Sequence, residues 1–223
     1  GIGTWGMGGR TRADATRDAD HMAALRAALE TGVRHIDTAE MYGDGHAEEL
    51  VCEAIKGFAR ERLFIASKAL GHHLRRKELF AAAEGSLRRL ATDYLDLYMI
   101  HHPNDDVPIA ETMEAMDALV QRGLVRHVGV SNFSVSRLQA AQAVSPQKIV
   151  ANQVHYSVRV REPEHSGLLE YCQANDVMLV AWQPVEQGLR GDLLDAVAAS
   201  YDVTPVQAAL NWLIAQPNVC VVA

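Results

Sequence analysis

Short apolar runs of strand length alternate with longer segments of helical period along this chain, and that alternation restricts it to a parallel sheet covered by helices. The helical segments each carry one apolar stripe: Met22, Leu25 and Leu29; Leu50, Val51, Ala54, Ile55 and Phe58; Leu79, Phe80, Ala83, Leu87 and Leu90; Ile109, Met113, Met116 and Val120. Further helices are read at Leu138 and Ala141 behind Ser134 as N-cap, at Leu168, Leu169 and Cys172, and over 208–213. Gly32 and Gly123 stand where helices should stop. The strand-length runs are His35 to Asp37, Leu63 to Ser67, Tyr94 to Ile100, His127 to Val130, Ile149 to Ala151, Met178 to Ala181 and Val219 to Val222. Most are β-branched and apolar on both faces, as parallel strands buried on two sides require. With the opening Gly1 to Trp5 segment they make eight, and eight units of about 30 residues predict a closed (β/α)8 TIM barrel rather than an open sheet.

With 223 residues, 48% of them hydrophobic, and no linker or low-complexity tract, the chain is read as a single barrel domain over 1–223. A formal charge of -7 argues against nucleic acid or an anionic membrane as partner, since both reward a basic face. Cys52, Cys172 and Cys220 are odd in number and widely spaced, which suits a reducing cytoplasm better than a disulfide framework. No apolar run approaches the roughly 20 residues of a membrane span, and no signal pattern opens the chain. The sequence starts at Gly1, already inside a strand or turn, so a longer natural N-terminus is expected. The expected partner is a small molecule, and the oligomeric state is left open.

In such a barrel, chemistry is assembled at the C-terminal ends of the strands. In order, those ends carry Trp5, Asp37 with Tyr42, Lys68, His101 with His102, Ser131 with Asn132, Asn152 with Gln153, and Trp182. A run of polar and aromatic residues at consecutive strand ends points to a site rather than to chance. A tyrosine has an ordinary pKa near 10, so an acidic role at neutral pH calls for help. Lys68 is expected to lower the Tyr42 pKa, Asp37 to hold Lys68 charged, and His101 to donate a hydrogen bond to a substrate oxygen. The set suits protonation of an oxygen as charge develops on it. It lacks an activated nucleophile, and no G-x-S-x-G elbow occurs. Lys68 as a Schiff-base lysine of a lyase is the second choice.

Other motifs are read more plainly. Gly1 to Gly6 matches G-x-G-x-x-G, but no helix follows at once, so a strand end and turn are expected. The pairs His72-His73 and His101-His102 lack a carboxylate-rich ligand set, and no metal is expected. Arg75-Arg76-Lys77 marks a solvated helix start. Trp182 is weighed as core against cofactor stacking, and its strand-end place favours stacking. Cys52 reads as a small buried residue.

Together, Asp37-Thr38-Ala39-Glu40-Met41-Tyr42-Gly43 with Glu48-Glu49-Leu50, Ser67-Lys68, Asp96 to Pro103, Gly129 to Phe133 and Asn152-Gln153-Val154 resemble the aldo-keto reductases. The resemblance covers Gly1 to Ala223. It implies an NADP-dependent oxidoreductase that reduces aldehydes and ketones by hydride transfer from NADPH, with NADH as the alternative cofactor. By the same likeness Tyr42 is the proton donor, with Asp37, Lys68 and His101 as its catalytic partners. Ser131, Asn132 and Gln153 match positions that hydrogen-bond the nicotinamide carboxamide, and Trp182 matches the aromatic that stacks on the nicotinamide. Thr4, Trp5 and Asp37 lie close to the cofactor and substrate. A nucleotide-binding, redox-sensing regulatory subunit on the same barrel is the rival implied reading. Three positions depart from the pattern: His155 stands where Glu is common, His102 where Trp is frequent, and Cys52 where glycine is usual. The family continues past its last strand with a Lys-Ser or Lys-Thr phosphate-binding segment and an eighth helix, so a barrel without them is expected over 1–223.

Overall fold

The computed structural model of the chain describes residues 1–185 and 191–223. Eight parallel strands run in sequence order around one sheet. They are β1 (Ile2–Gly3), β2 (His35–Asp37), β3 (Phe64–Ala69), β4 (Leu95–Ile100), β5 (Val125–Ser131), β6 (Ile149–His155), β7 (Met178–Trp182) and β8 (Val219–Val222). Backbone bonds from Gly3 N to Ala223 O (3.0 Å) and from Ala223 N to Gly1 O (3.2 Å) join the two edges and close the barrel. Closure leaves no free strand edge, and the (β/α)8 expectation holds.

Helices pack outside: α1 (Asp18–Glu30), α2 (His46–Ala54), α3 (Arg76–Leu90), α4 (Ile109–Gln121), α5 (Val135–Val144), α6 (Glu162–His165), α7 (Leu168–Ala174), α8 (Asp192–Ser200) and α9 (Pro205–Ile214). The Ser134 cap is made: its side chain accepts from Arg137 N. At α9, Thr204 and Gln207 form a reciprocal capping box, with Pro205 pre-set at the first helical position. The Gly1 to Gly6 motif is a strand followed by a turn, as expected, with Gly6 bridged to Gly9. No described helix is long and apolar enough to cross a membrane.

Strand alternation sorts the apolar side chains into two cores. Ile36, Ile65, Tyr98, Ile100, Val128, Val130 and Leu179 face outward, into the layer between sheet and helices. Ala66, Leu97, Met99, Ala151, Val180 and Val222 fill the barrel interior. Gly129 belongs to the inner set by parity, and its missing side chain is needed there. A Cβ at that position would lie 2.9 Å from Met99 Cγ and 3.1 Å from Leu97 Cδ1. One step of two residues beyond this interior layer brings Ala66 to Lys68, Met99 to His101, Gly129 to Ser131, Ala151 to Gln153 and Val180 to Trp182. The rim is thus the topmost inner layer of the barrel.

Several strands run farther than expected. β3 continues to Ala69, β6 to His155 and β7 to Trp182, so Lys68, Asn152, Gln153 and Trp182 lie in their strands rather than just past them. The reason is visible at β6. Asn152 exchanges bonds with the backbone of Phe133, its Nδ2 donating to the carbonyl (2.8 Å) and its Oδ1 accepting from the amide (3.4 Å). Polar side chains with buried partners can continue a strand that their composition suggests should stop. Ile55 and Phe58, expected in the second helix, follow its end at Ala54.

Candidate active site

β2 ends at Asp37, and five residues later a tight turn presents Tyr42. That turn, Tyr42–Gly45, runs through left-handed backbone at Gly43 (φ 58°), Asp44 (φ 55°) and Gly45 (φ 90°). Gly43 is required by contact as well as by φ, because a Cβ there would sit 2.3 Å from Gly8 O. Its N–H donates to Arg10 O at 2.7 Å and ties the turn to the loop after β1.

Lys68 is fully buried. Its Nζ donates to Asp37 Oδ1 at 2.6 Å, to Thr38 O at 2.9 Å and to Tyr42 Oη at 3.1 Å. The second Asp37 oxygen accepts from Gln153 Nε2 at 2.8 Å. Burial alone would lower the Lys68 pKa, but Asp37 and Tyr42 outweigh it and the net direction is upward, so the amine stays an ammonium. A charged lysine with all three of its protons engaged is a poor Schiff-base nucleophile.

Tyr42 departs from expectation. Burial raises its pKa, Lys68 opposes that rise, and burial wins. The sequence reading weighed the ammonium and could not weigh desolvation. The result is a phenol that keeps its proton through neutral and moderately alkaline pH. The Tyr42 ring stands edge-on to Trp5 (centroids 5.0 Å) and to His101 (5.6 Å).

His101 follows β4, its N–H donating to Ala69 O at 2.9 Å. Burial, then Lys68 and His102, push its pKa down to about 3, so the ring is neutral. Nδ1 is sealed from solvent with no partner. A buried N–H without an acceptor is rarer and costlier than an idle lone pair, which puts the proton on Nε2, the nitrogen that opens to the cavity.

Asp37, Tyr42 and His101 border a cavity of about 460 Å³, within the range of small-ligand sites, with Lys68 buried behind them. Asp37, Tyr42, His101, Ser131, Asn132, Gln153 and Trp182 line it, with Trp5 at its edge. Thr4 does not. It is fully buried, and its hydroxyl donates to Asp37 O at 3.1 Å, bracing the end of β2. Ser131 Oγ donates to Gln153 O (2.8 Å) and accepts from Asn132 Nδ2 (3.0 Å). With their amide nitrogens engaged, Asn132 Oδ1 and Gln153 Oε1 are left without protein partners among the described residues. Two idle acceptors beside an indole suit a flat ring bearing a primary amide, and a nicotinamide fits that chemistry. Trp182 lies nearly parallel to His155 (centroids 4.3 Å, 15°), which fixes its ring plane.

Sequence reasoning did not find the support behind β3. Glu48 in α2 is fully buried, accepts from Ser67 Oγ at 2.5 Å, and is paired with Arg89 of α3 at 2.7 Å. Glu48 stands in an acidic first turn beside the exposed Glu49, so composition alone does not mark it as buried. Arg89 also packs on Gly45, where a Cβ would meet its Nε at 2.5 Å.

A model of the aldo/keto reductase family matches residues 1–193. The chain belongs to that family. It is 37% identical to methylglyoxal reductase YeaE of Escherichia coli over 98% of this chain and 78% of the relative. A thermostable aldo-keto reductase, Tm1743, solved with the inhibitor epalrestat, superposes with a TM-score of 0.96 at 46% identity, over 100% of this chain and 82% of that one. An aldo-keto reductase from Klebsiella pneumoniae in complex with NADPH gives a TM-score of 0.92 at 38% identity, over 100% of this chain and 79% of the other.

Proposed function

We propose that this chain is an NADP-dependent aldo-keto reductase that converts aldehydes and ketones to alcohols, with Tyr42 as proton donor. The observation that carries the reading is the buried Asp37–Lys68–Tyr42 chain opening onto one cavity with His101. Bound NADPH would supply the hydride that reaches the carbonyl carbon. Trp182 would offer its face to the nicotinamide, and Asn132 Oδ1 and Gln153 Oε1 would accept from its carboxamide. His101 Nε2 donates to the carbonyl oxygen and orients it toward Tyr42. As negative charge develops on that oxygen, the Tyr42 O–H bond breaks and its proton passes across. Lys68, held by Asp37, stabilises the phenolate left behind.

The same reading makes residues 1–223 a single barrel domain with a small carbonyl compound as partner, and neither nucleic acid nor membrane. The three free cysteines suit a cytoplasmic location. The test is NADPH oxidation followed with a panel of aldehydes, in wild type and Tyr42→Phe. Loss of the general acid is expected to lower turnover by about 10²- to 10⁴-fold while NADPH affinity stays within a few-fold. Unchanged turnover would remove Tyr42 from its role.

A further inference from the structure

Lys68 is held by its strand, whereas Tyr42 opens a turn whose backbone is unfavourable on its own. Gly43, Asp44 and Gly45 are all left-handed, and Asp44 carries a side chain that opposes its φ of 55°. The bond from Lys68 Nζ to Tyr42 Oη, at 3.1 Å, is already near the long end for a hydrogen bond, so a small drift of the turn would open it.

Glu48 follows in the first turn of α2 and is fully buried. Strand parity points Lys68 into the barrel and its neighbour Ser67 outward, where Ser67 Oγ donates to Glu48 Oε1 at 2.5 Å. The other carboxylate oxygen, Oε2, accepts from Nε and Nη2 of Arg89 in α3, each at 2.7 Å. The Arg89 stem lies over Gly45, where a Cβ would meet Nε at 2.5 Å and Cδ at 2.6 Å. Joining α2 to α3 needs Arg89 alone, and the bond of Oε1 to Ser67 adds β3. One buried ion pair thus grips the residue beside Lys68 and, through Arg89, the turn that carries Tyr42.

We propose that Glu48 is a positioning residue for proton transfer, which through Ser67 and Arg89 holds the Tyr42 turn against β3 and keeps the phenol within hydrogen-bond reach of the Lys68 ammonium. Glu48 does not line the cavity, so it acts on the reaction only through these neighbours. The inference rests on the reductase reading.

The test follows NADPH oxidation with the best aldehyde of the panel, in H2O and in D2O, for wild type, Ser67→Ala, Glu48→Ala and Glu48→Gln. Ser67→Ala cuts the tie to β3 and leaves the ion pair in place. Gln at position 48 can still accept from Arg89 and donate to Ser67 Oγ, so it restores the tie without the charge. In both Ala variants kcat is expected to fall roughly 10- to 100-fold, as displacement of a reacting group implies, while NADPH affinity is unchanged. The Gln variant should recover most of that loss. The solvent isotope effect on kcat should rise in the Ala variants, because proton transfer from a displaced phenol becomes the slow step. Partial unfolding would only reduce the amount of active protein and leave the isotope effect at its wild-type value. Unchanged kcat in Ser67→Ala, or a fall in kcat with no rise in the isotope effect, would overturn the assignment of Glu48. Wild type that oxidises NADPH with none of the aldehydes would instead overturn the reductase reading.

Discussion

The rim of the barrel has two halves built on different rules. In the half carried by β2, β3 and β4, the charged groups are spent on one another: Lys68 on Asp37 and Tyr42, and behind them Glu48 on Arg89 and Ser67. In the half carried by β5, β6 and β7, the polar groups bond through their nitrogens and leave carbonyl oxygens facing the cavity, while Trp182 stays half-exposed. A buried charge must be paired at all times, so the first half is complete before any ligand arrives. A neutral acceptor at a cavity wall can wait, because water satisfies it until a ligand does. Chemistry is placed in the rigid half and recognition in the half that a ligand completes.

The largest effect should come from breaking the closed half. Lys68→Met leaves the Asp37 carboxylate buried without its counter-charge, and denaturant unfolding should show a loss of about 3–5 kcal/mol. A loss below ~1 kcal/mol would mean that the pair does not hold this half together. Gln153→Ala cuts one of the side-chain bonds that join the halves and leaves Asp37 Oδ2 unsatisfied. Stability should fall by about 1–3 kcal/mol. Turnover should fall with it, whereas a change in NADPH affinity alone would place Gln153 wholly in the recognition half.

The most graded effect is in pH. His101 and His35 titrate in the folded chain at about 3 and about 4, well under the ordinary 6.5, chiefly because both are buried. The unfolded chain therefore binds more protons between those values and 6.5. Stability is fully present above about 6.5 and declines as pH falls toward 4. Thermal unfolding from pH 7 to 4 should show this slope, and His101→Gln should flatten it. An equal slope in the variant would assign the acid loss to other groups.

Much of this was legible before any coordinates. Asp37, Lys68, His101, Ser131, Gln153 and Trp182 stand near the C-terminal ends of apolar runs, and a barrel turns that position into a common rim. Thr4 and Trp5 are neighbours in the chain, but strand parity parts them, leaving Trp5 on the cavity side with Gly3 and turning Thr4 to the opposite face, onto the Asp37 carbonyl. The end of β6 was misread because Asn and Gln suggest a turn when their partners are unseen. Glu48 enters the sequence only as part of a motif, and only its burial against Arg89 shows what it supports.

The order of strands and helices, the inner and outer parity of each strand and the residue types at the rim were determined by the sequence, because each follows from local periodicity and adjacency. Which groups meet was decided by the tertiary structure. Gln153 reaches Asp37 from 116 positions away, Lys68 uses the backbone carbonyl of Thr38, and Asn132 donates to the backbone carbonyl of His101. The direction of the Tyr42 pKa belongs with these, since desolvation is set by everything that packs around a group and so exists only once the chain has folded.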